Sequence, residues 1–412
     1  MLKNYIKTAL KVLLRRKFFT FISLFGISFT LIVLMVITAM VDYLVAPMAP
    51  DTKADRILGI YFSQMTGPEA QSTSPAGYKL LDKYARNLPH VESFSICTMM
   101  QQVNGFPNGD KVQAFLKRTD GNYWRIFDFQ FLEGGPFLDE DNQNANFVAV
   151  INEATRQKFF GNTTAVGKTM ELDGQRFRVV GVVTNVPITR LIPFSDVWVP
   201  LTTAKSDSYR NELMGGHTGV ILAENAAAIP LIKAEFDTRI QAVEIPNPKQ
   251  YTEFLSRAET LWEFVARTLT GDYSSRATMK LLMAAMSFMF LFMLLPAINL
   301  INITVSRILE RSSEIGVRKA FGASSMTLIG QFVVENVILT LVGGMLGLVG
   351  SWLVLRGISE SGLIPYAQYQ INWRIFLYGL GLALVFGVVS GVYPAWKMSR
   401  LHPVEALKGG VR

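Results

Sequence analysis

Apolar and polar positions are distributed very unevenly along this chain. Four apolar runs, Phe18 to Val41, Met279 to Val305, Met326 to Leu355 and Trp373 to Trp396, carry at most one charged residue each. At 1.5 Å rise per residue, a helix of such length crosses a hydrocarbon core of about 30 Å. Between the first two runs, Asp42 to about Arg276 holds no stretch long enough to span. Its pattern alternates between periods. Arg56 to Phe62, Val91 to Met99, Val112 to Lys117, Val197 to Leu201, Thr218 to Leu222 and Gln250 to Leu255 predict strands. Pro75 to Leu88, Asn152 to Phe160, Ile229 to Val243 and Glu259 to Leu269 predict helices. Thr169 to Leu172 and Gln175 to Val183 flank Asp173-Gly174, a strong hairpin signal. The expected fold class is an α-helical membrane protein with four transmembrane helices. A large α+β extracytoplasmic domain, in two lobes, lies between the first and second helices.

Composition sharpens this. The 412 residues are 50% hydrophobic and 17% charged, against an average charged share of roughly 25%. The net charge of +8 is placed at three segments: Lys3, Lys7, Lys11, Arg15, Arg16 and Lys17; Arg307, Arg311, Arg318 and Lys319; and Lys397, Arg400, Lys408 and Arg412. Each flanks an apolar run, so the excess reads as a positive-inside topology signal and not as a nucleic-acid surface. Both termini are then cytoplasmic. The first run is longer than a cleaved signal core, and Ala46-Pro47-Met48-Ala49 is a poor cleavage site, so it reads as a retained span. The expected organisation follows. Residues 1–17 form a cytoplasmic amphipathic helix, with spans at 18–45, 277–305, 326–355 and 373–396. The extracytoplasmic domain takes 46–276, a cytoplasmic elbow 306–325, a short outer loop 356–372, and a cytoplasmic tail 397–412.

Several residues inside the spans stand out. Pro296 removes a backbone donor and predicts a kink. Asn299 and Asn302 share a face and must find partners in lipid. Glu335 lies about two turns inside the third span, where an ionised carboxylate is costly unless paired or protonated. Gly343 and Gly347, and Gly387 and Gly391, form two GxxxG pairs at which another backbone can approach closely. The elbow continues the second span as a helix, with Glu314 and Arg318 an i, i+4 pair in the favourable order. Gly322 predicts its stop and Ser324 or Ser325 the next cap.

Chemistry is sparse. Cys97 is the only cysteine, so no intrachain disulfide forms and the thiol reads as a buried apolar filler. His90, His217 and His402 show no metal-ligand spacing. Gly161 to Thr169 looks like a nucleotide-binding loop, but five residues separate its glycines where four are needed, and it follows a helix and opens a hairpin. No catalytic residue, cofactor or metal site is expected. A chain without a motor that presents a charged elbow to the cytoplasm borrows one.

At this point the residues resemble a known family. Glu310 to Ala323 is similar to the signature of MacB/FtsX-type ABC-transporter permeases. Ile298 to Ile303, with Asn302, resembles that family's lead-in, and Phe332 to Glu335 with Gly343 to Gly347 resembles its third span. Gly391 to Trp396 with Pro403 to Lys408 resembles its closing segment. Tyr123 to Phe137 and Val148 to Gly181 resemble the MacB-type periplasmic core domain. Pro296 departs from the pattern, and Thr202 to Arg276 matches little, so cargo or partner choice is assigned there. The resemblance implies a pair of four-span permease subunits, in two copies or two different chains, each docking a cytosolic ABC ATPase subunit. The elbow becomes a coupling helix with Arg307, Glu310, Arg311, Glu314, Ile315, Arg318 and Lys319 as its contact residues. It implies mechanotransmission to the extracytoplasmic domain, for export or extraction of a peptide, drug or lipoprotein with an extracytoplasmic adaptor or cargo. The alternative is a signal transmitter that activates an outer partner such as a cell-wall hydrolase without transport.

Overall fold

The structure, a computed structural model, describes residues 11, 13–15, 17–272, 276–310, 317 and 325–399. The chain divides into two compact units. A helical unit takes Met1–Tyr43, Leu282–Leu363 and Gln368–Arg412, and an α+β unit takes Leu44–Leu281 with Ile364–Ala367. In chain order the main elements begin with α1 (Lys17–Val45), β1 (Ile57–Ile60), β2 (Phe62–Thr66), β3 (Gln71–Pro75), β4 (Val91–Thr98), β5 (Gln101–Gly105), β6 (Val112–Thr119) and β7 (Phe131–Gly134). Then come β8 (Val148–Asn152), α2 (Glu153–Phe160), β9 (Thr169–Leu172), β10 (Gln175–Val183), β11 (Val197–Pro200), β12 (His217–Ala223), α3 (Ile229–Gln241), β13 (Glu253–Ser256) and α4 (Leu261–Thr270). The chain ends with α5 (Ala277–Glu310), α6 (Ser325–Glu360) and α7 (Trp373–Ser399).

Six strands of the α+β unit pair in the order β6–β11–β8–β10–β9–β5, and β5 pairs back onto β6, so the ring closes. Alternate residues point inward, as the two-residue strand period requires. Val103, Ala114, Leu116, Ala149, Ile151, Met170, Leu172, Phe177, Val179, Val197 and Val199 form one buried cluster. A register shift between Val179 and Gly181 resets the phase, which brings Val182 to the same interior. The closing seam is narrow: Gly105 pairs with Leu172, and a Cβ at Gly105 would come within 2.6 Å of the Phe159 ring. The same sheet continues beyond β6 through β4 and β12 to β1, and β1 and β12 are buried along their whole length. One face packs on α3 through Ile232, Phe236 and Ile240, spaced by four. The other meets Tyr123, Phe127 and Trp198.

Local expectations fail where the period is broken by tertiary pairing. Arg56 to Phe62 is not one strand, because β1 joins the large sheet and β2 the small sheet β13–β2–β3. Pro75 to Leu88 is not one α-helix. It is a short turn at Tyr78–Leu80 followed by a wider turn at Leu81–Ala85, closed by Arg86 N–H to Leu81 O at 3.1 Å, which buries Leu80, Leu81 and Ala85 together. The polar strands β2, β3 and β5 have too few apolar side chains to show a period.

In the helical unit the glycines of α6 mark close helix approaches. A Cβ at Gly343 would lie 2.8 Å from Ile27 Cγ2 of α1, and one at Gly347 would lie 2.9 Å from Leu31 Cβ. A Cβ at Gly387 of α7 would lie 2.7 Å from Thr340 Oγ1 of α6. The outward faces are apolar and aromatic, with Phe21, Phe25 and Phe29 stacked along α1 and Phe29 against Phe292 of α5. Among the described residues, Lys17–Leu44 and Ile329–Glu360 are long and apolar enough to cross a membrane, and Ala277–Phe292 and Trp373–Val389 are shorter apolar stretches. Pro296 lies within α5. The corner expected at Gly322 to Ser324 and most of residues 1–17 lie outside the described residues. The glycine approaches generate a prediction. Gly347→Leu overpacks the α1–α6 contact at a cost of about 1–3 kcal/mol, lowering the melting temperature of the detergent-solubilised chain. Gly381→Leu, where an added Cβ meets nothing within 4 Å, leaves it nearly unchanged.

Candidate coupling sites

The residues singled out in the sequence fall into three groups. Arg307 and Glu310 close α5, Asn299 and Asn302 lie within it, and only the backbone of these four is described. Gly391 lies in α7, with its surroundings outside the described residues, as are Arg311, Glu314, Ile315, Arg318 and Lys319 altogether. Glu335, Gly343, Gly347 and Gly387 sit at helix contacts. Glu335 is 2% exposed, and Gln331 Nε2 donates to its Oε1 at 3.2 Å. At the next residue, Asn336 Nδ2 donates to Gly387 O of α7 at 3.2 Å, and Thr340 Oγ1 donates to Asn336 O at 2.9 Å. The α6–α7 contact therefore combines a glycine approach with an amide bond across it, the pairing expected where lipid gives no hydrophobic drive between helices. Asn336 escaped the sequence reading, although it carries the same signal, an amide inside an apolar run, that marked Asn299.

A second site lies where the chain enters and leaves the α+β unit. The segment after α1, the connection between β10 and β11, and the start of α4 line one cavity of about 100 Å³, with Asp51, Ile57, Arg190, Ile192, Leu261 and Trp262 in its wall. Arg190 is 1% exposed and its Nη1 lies 3.5 Å from Asp51 Oδ2. Burial pushes the Asp51 carboxyl up to about 6 against the opposing pull of Arg190. Nearby, the buried Lys117 ammonium donates to the carbonyls of Leu191 and Ile192, and burial pushes its pKa down to about 8.

The exit is fastened as firmly. Glu259 exchanges two backbone hydrogen bonds with Gly59 of β1, at 2.7 and 2.9 Å. Its carboxylate takes a bidentate pair from Arg267 of α4, at 2.9 and 2.8 Å, with both side chains about one-tenth exposed. Thr260 and Glu263 form a capping box at the start of α4, and Lys233 of α3 donates to Glu263 at 2.7 Å. Nothing local in the sequence marks Asp51, Arg190, Glu259 or Arg267 as partners. Asp51 and Arg190 lie far apart in the chain, and Glu259 is held in place by its backbone seam with Gly59.

The buried carboxylates set a pH dependence. Asp120 accepts from Ser95 Oγ at 2.6 Å and Ile96 N–H at 3.0 Å, yet burial raises it, like Asp51, from 3.8 to about 6. The folded state therefore holds these protons more tightly than the unfolded state. Their stabilising contribution is full below 3.8, falls as pH rises to about 6, and is constant above that. Thermal melts of the full chain and of Asp120→Asn across that window check this. The melting temperature of the variant relative to the parent is expected to climb as pH rises to about 6.

Comparison with known proteins bears on both units. The family model for a MacB-like periplasmic core domain matches residues 20–239, which passes well beyond Thr202, where the residue-by-residue resemblance ends. The model for an FtsX-like permease C-terminal matches residues 286–403. An uncharacterized ABC transporter permease, YknZ, from Bacillus subtilis (strain 168), is 26% identical over 299 residues, covering 73% of this chain and 71% of that protein. The pyoverdine export ATP-binding/permease protein PvdT of Pseudomonas savastanoi pv. phaseolicola is 28% identical over 365 residues, covering 83% of this chain and 50% of PvdT. The macrolide export ATP-binding/permease protein MacB of Bdellovibrio bacteriovorus is 27% identical over 278 residues, covering 66% of this chain and 40% of that protein. The chain thus spans half or less of the length of these two export proteins. With one model matched over the α+β unit and the other over the later helices, in that order, the chain belongs to the MacB/FtsX-type ABC-transporter permeases.

Proposed function

We propose that this chain is the permease subunit of an ABC transporter in a bacterial cytoplasmic membrane, with four membrane-spanning helices, both termini in the cytoplasm and the α+β unit outside. A separate cytosolic ATPase docks on the elbow at 306–325 through Arg307, Glu310, Arg311, Glu314, Ile315, Arg318 and Lys319. A second permease subunit completes the pair. Nucleotide-driven closure of the ATPase shifts α5 and α6, and the α+β unit moves as a body to act on its load. The observation that carries this reading is the clamp on the α+β unit. Its entry segment and its exit helix α4 line one cavity, held by Asp51–Arg190, Glu259–Arg267 and the α4 capping box. A unit fastened at both chain connections is suited to being moved without being deformed. Relatives named for pyoverdine and macrolide export support an exported or extracted load.

Charge reversal in the elbow tests the docking. Glu314→Arg and Arg318→Glu in the full chain, reconstituted with its ATPase, are each expected to weaken docking about tenfold, the equivalent of ~1.4 kcal/mol, and to lower permease-stimulated ATP hydrolysis. Swapping both charges together restores the intrahelical pair but not the contact with the ATPase, so the double variant stays impaired. Full stimulation in the single variants, or full rescue in the double, counts against a docking role.

A further inference from the structure

The loop between α6 and α7 has two allegiances. Ile364–Ala367 belongs to the α+β unit, while the residues on either side belong to the helical unit. Within the α+β unit, Ile188 N–H donates to Pro365 O at 3.3 Å, Ala367 N–H closes a turn onto Ile364 O at 3.2 Å, and Ala367 is buried. Tyr366 Oη donates to Asp196 Oδ1 at 3.0 Å. Asp196 is a junction in the strand ring. Its Oδ2 accepts Phe115 N–H of β6 at 2.9 Å, and its Oδ1 accepts Asn152 Nδ2 at the end of β8 at 2.9 Å. Its own backbone N–H donates to Phe115 O, and its backbone O accepts Asn152 N–H, both at 2.9 Å. Tyr366 thus adds a donor from outside the ring to the carboxylate that joins β6, β8 and the start of β11. Burial and the Asp196 charge push the phenol up to about 12, so it keeps its proton at physiological pH. Tyr366 also has φ 60°, a left-handed conformation that disfavours a bulky side chain and persists where surrounding contacts over-determine it.

On the helical side the same loop is tied to the end of α1. Gln368 N–H donates to Tyr43 Oη at 3.1 Å, and the Tyr43 and Tyr369 rings lie 4.8 Å apart. Asn372 Nδ2 donates to Asp42 Oδ2 at 3.0 Å, and Tyr369 N–H donates to Ser359 Oγ at 3.0 Å. We propose that this loop is a strap that carries movement of the helices into the strand ring, with Tyr366 as the positioning residue that fastens it to Asp196. It gives the α+β unit a third connection to the helices, beside the chain crossings after Tyr43 and Leu281. The proposal rests on the mechanical reading above, but its test needs no ATPase, so the two can fail separately.

Hydrogen–deuterium exchange on the full chain in detergent is the test. Tyr366→Phe removes only the hydroxyl and is expected to speed exchange at the Ile188 and Ala367 amides by roughly three- to tenfold, the size of one lost hydrogen bond. Tyr366→Gly, which suits the positive φ, keeps the backbone unstrained and is expected to do the same. A coupling role shows in a double-variant cycle. Gly347→Ala disturbs the α1–α6 contact and is expected to alter exchange at Phe115 and Asn152. In the Tyr366→Phe background that distant change disappears, while the local change in α1 and α6 persists. Additive effects in the cycle overturn the strap, and so does unchanged exchange at Ile188 and Ala367 in both Tyr366 variants.

Discussion

Closure of the strand ring is the constraint on which the α+β unit depends. A closed ring has no free edge, so every strand in it finds a partner on both sides, and the unit can tolerate polar strands such as β5. Its interior is filled by apolar side chains from alternate positions, which fixes the register, because a slip of one residue would turn that whole set outward. The seam is the weak point. It rests on Gly105 opposite Leu172, where the approach of Phe159 leaves no room for a side chain. The same ring brings Phe115, Asn152 and Asp196 together, which is why one carboxylate can serve three strands at once.

Around this ring the chain connections are held by buried charge. Ion pairs such as Asp51–Arg190 and Glu259–Arg267 add little stability over well-packed apolar residues, since both partners must be desolvated. Breaking one partner is costly, because a charge is then left buried alone. Such pairs therefore fix geometry more than they raise stability. Lys117, bound to two backbone carbonyls and poised near pH 8 by burial, belongs to the same economy of charge.

The helical unit solves a different problem. Between helices in lipid the hydrophobic effect offers no preference, so contact depends on close backbone approach and on hydrogen bonds. Gly343 and Gly347 admit Ile27 and Leu31 of α1, and Gly387 admits Thr340 while its carbonyl takes the Asn336 amide. Among the described residues, small residues and the Asn336 amide mark the contacts of α6 with α1 and α7, and the outward faces are apolar.

Much of this could be read from the residues alone. Long apolar runs with few charges have only one way to satisfy their backbone in lipid, so α1 and α6 were legible, and the hairpin at Asp173-Gly174 follows from local backbone preference. The short resemblance motifs named the family because they combine several residue types at fixed spacing. The strands β2, β3 and β5 were not legible, since their partners and not their own side chains hold them in place. Nor was Arg56 to Phe62 legible as two strands, because its break is set by which sheet each half joins. The pairing of Arg190 with Asp51 and of Tyr366 with Asp196 joins positions more than a hundred residues apart, and a charge or a phenol in a loop gives no local sign of its partner. Sequence therefore marked the long apolar segments and the family the chain belongs to. Only the tertiary structure decided which buried groups meet, because those contacts exist only once distant segments are brought together by the closed ring.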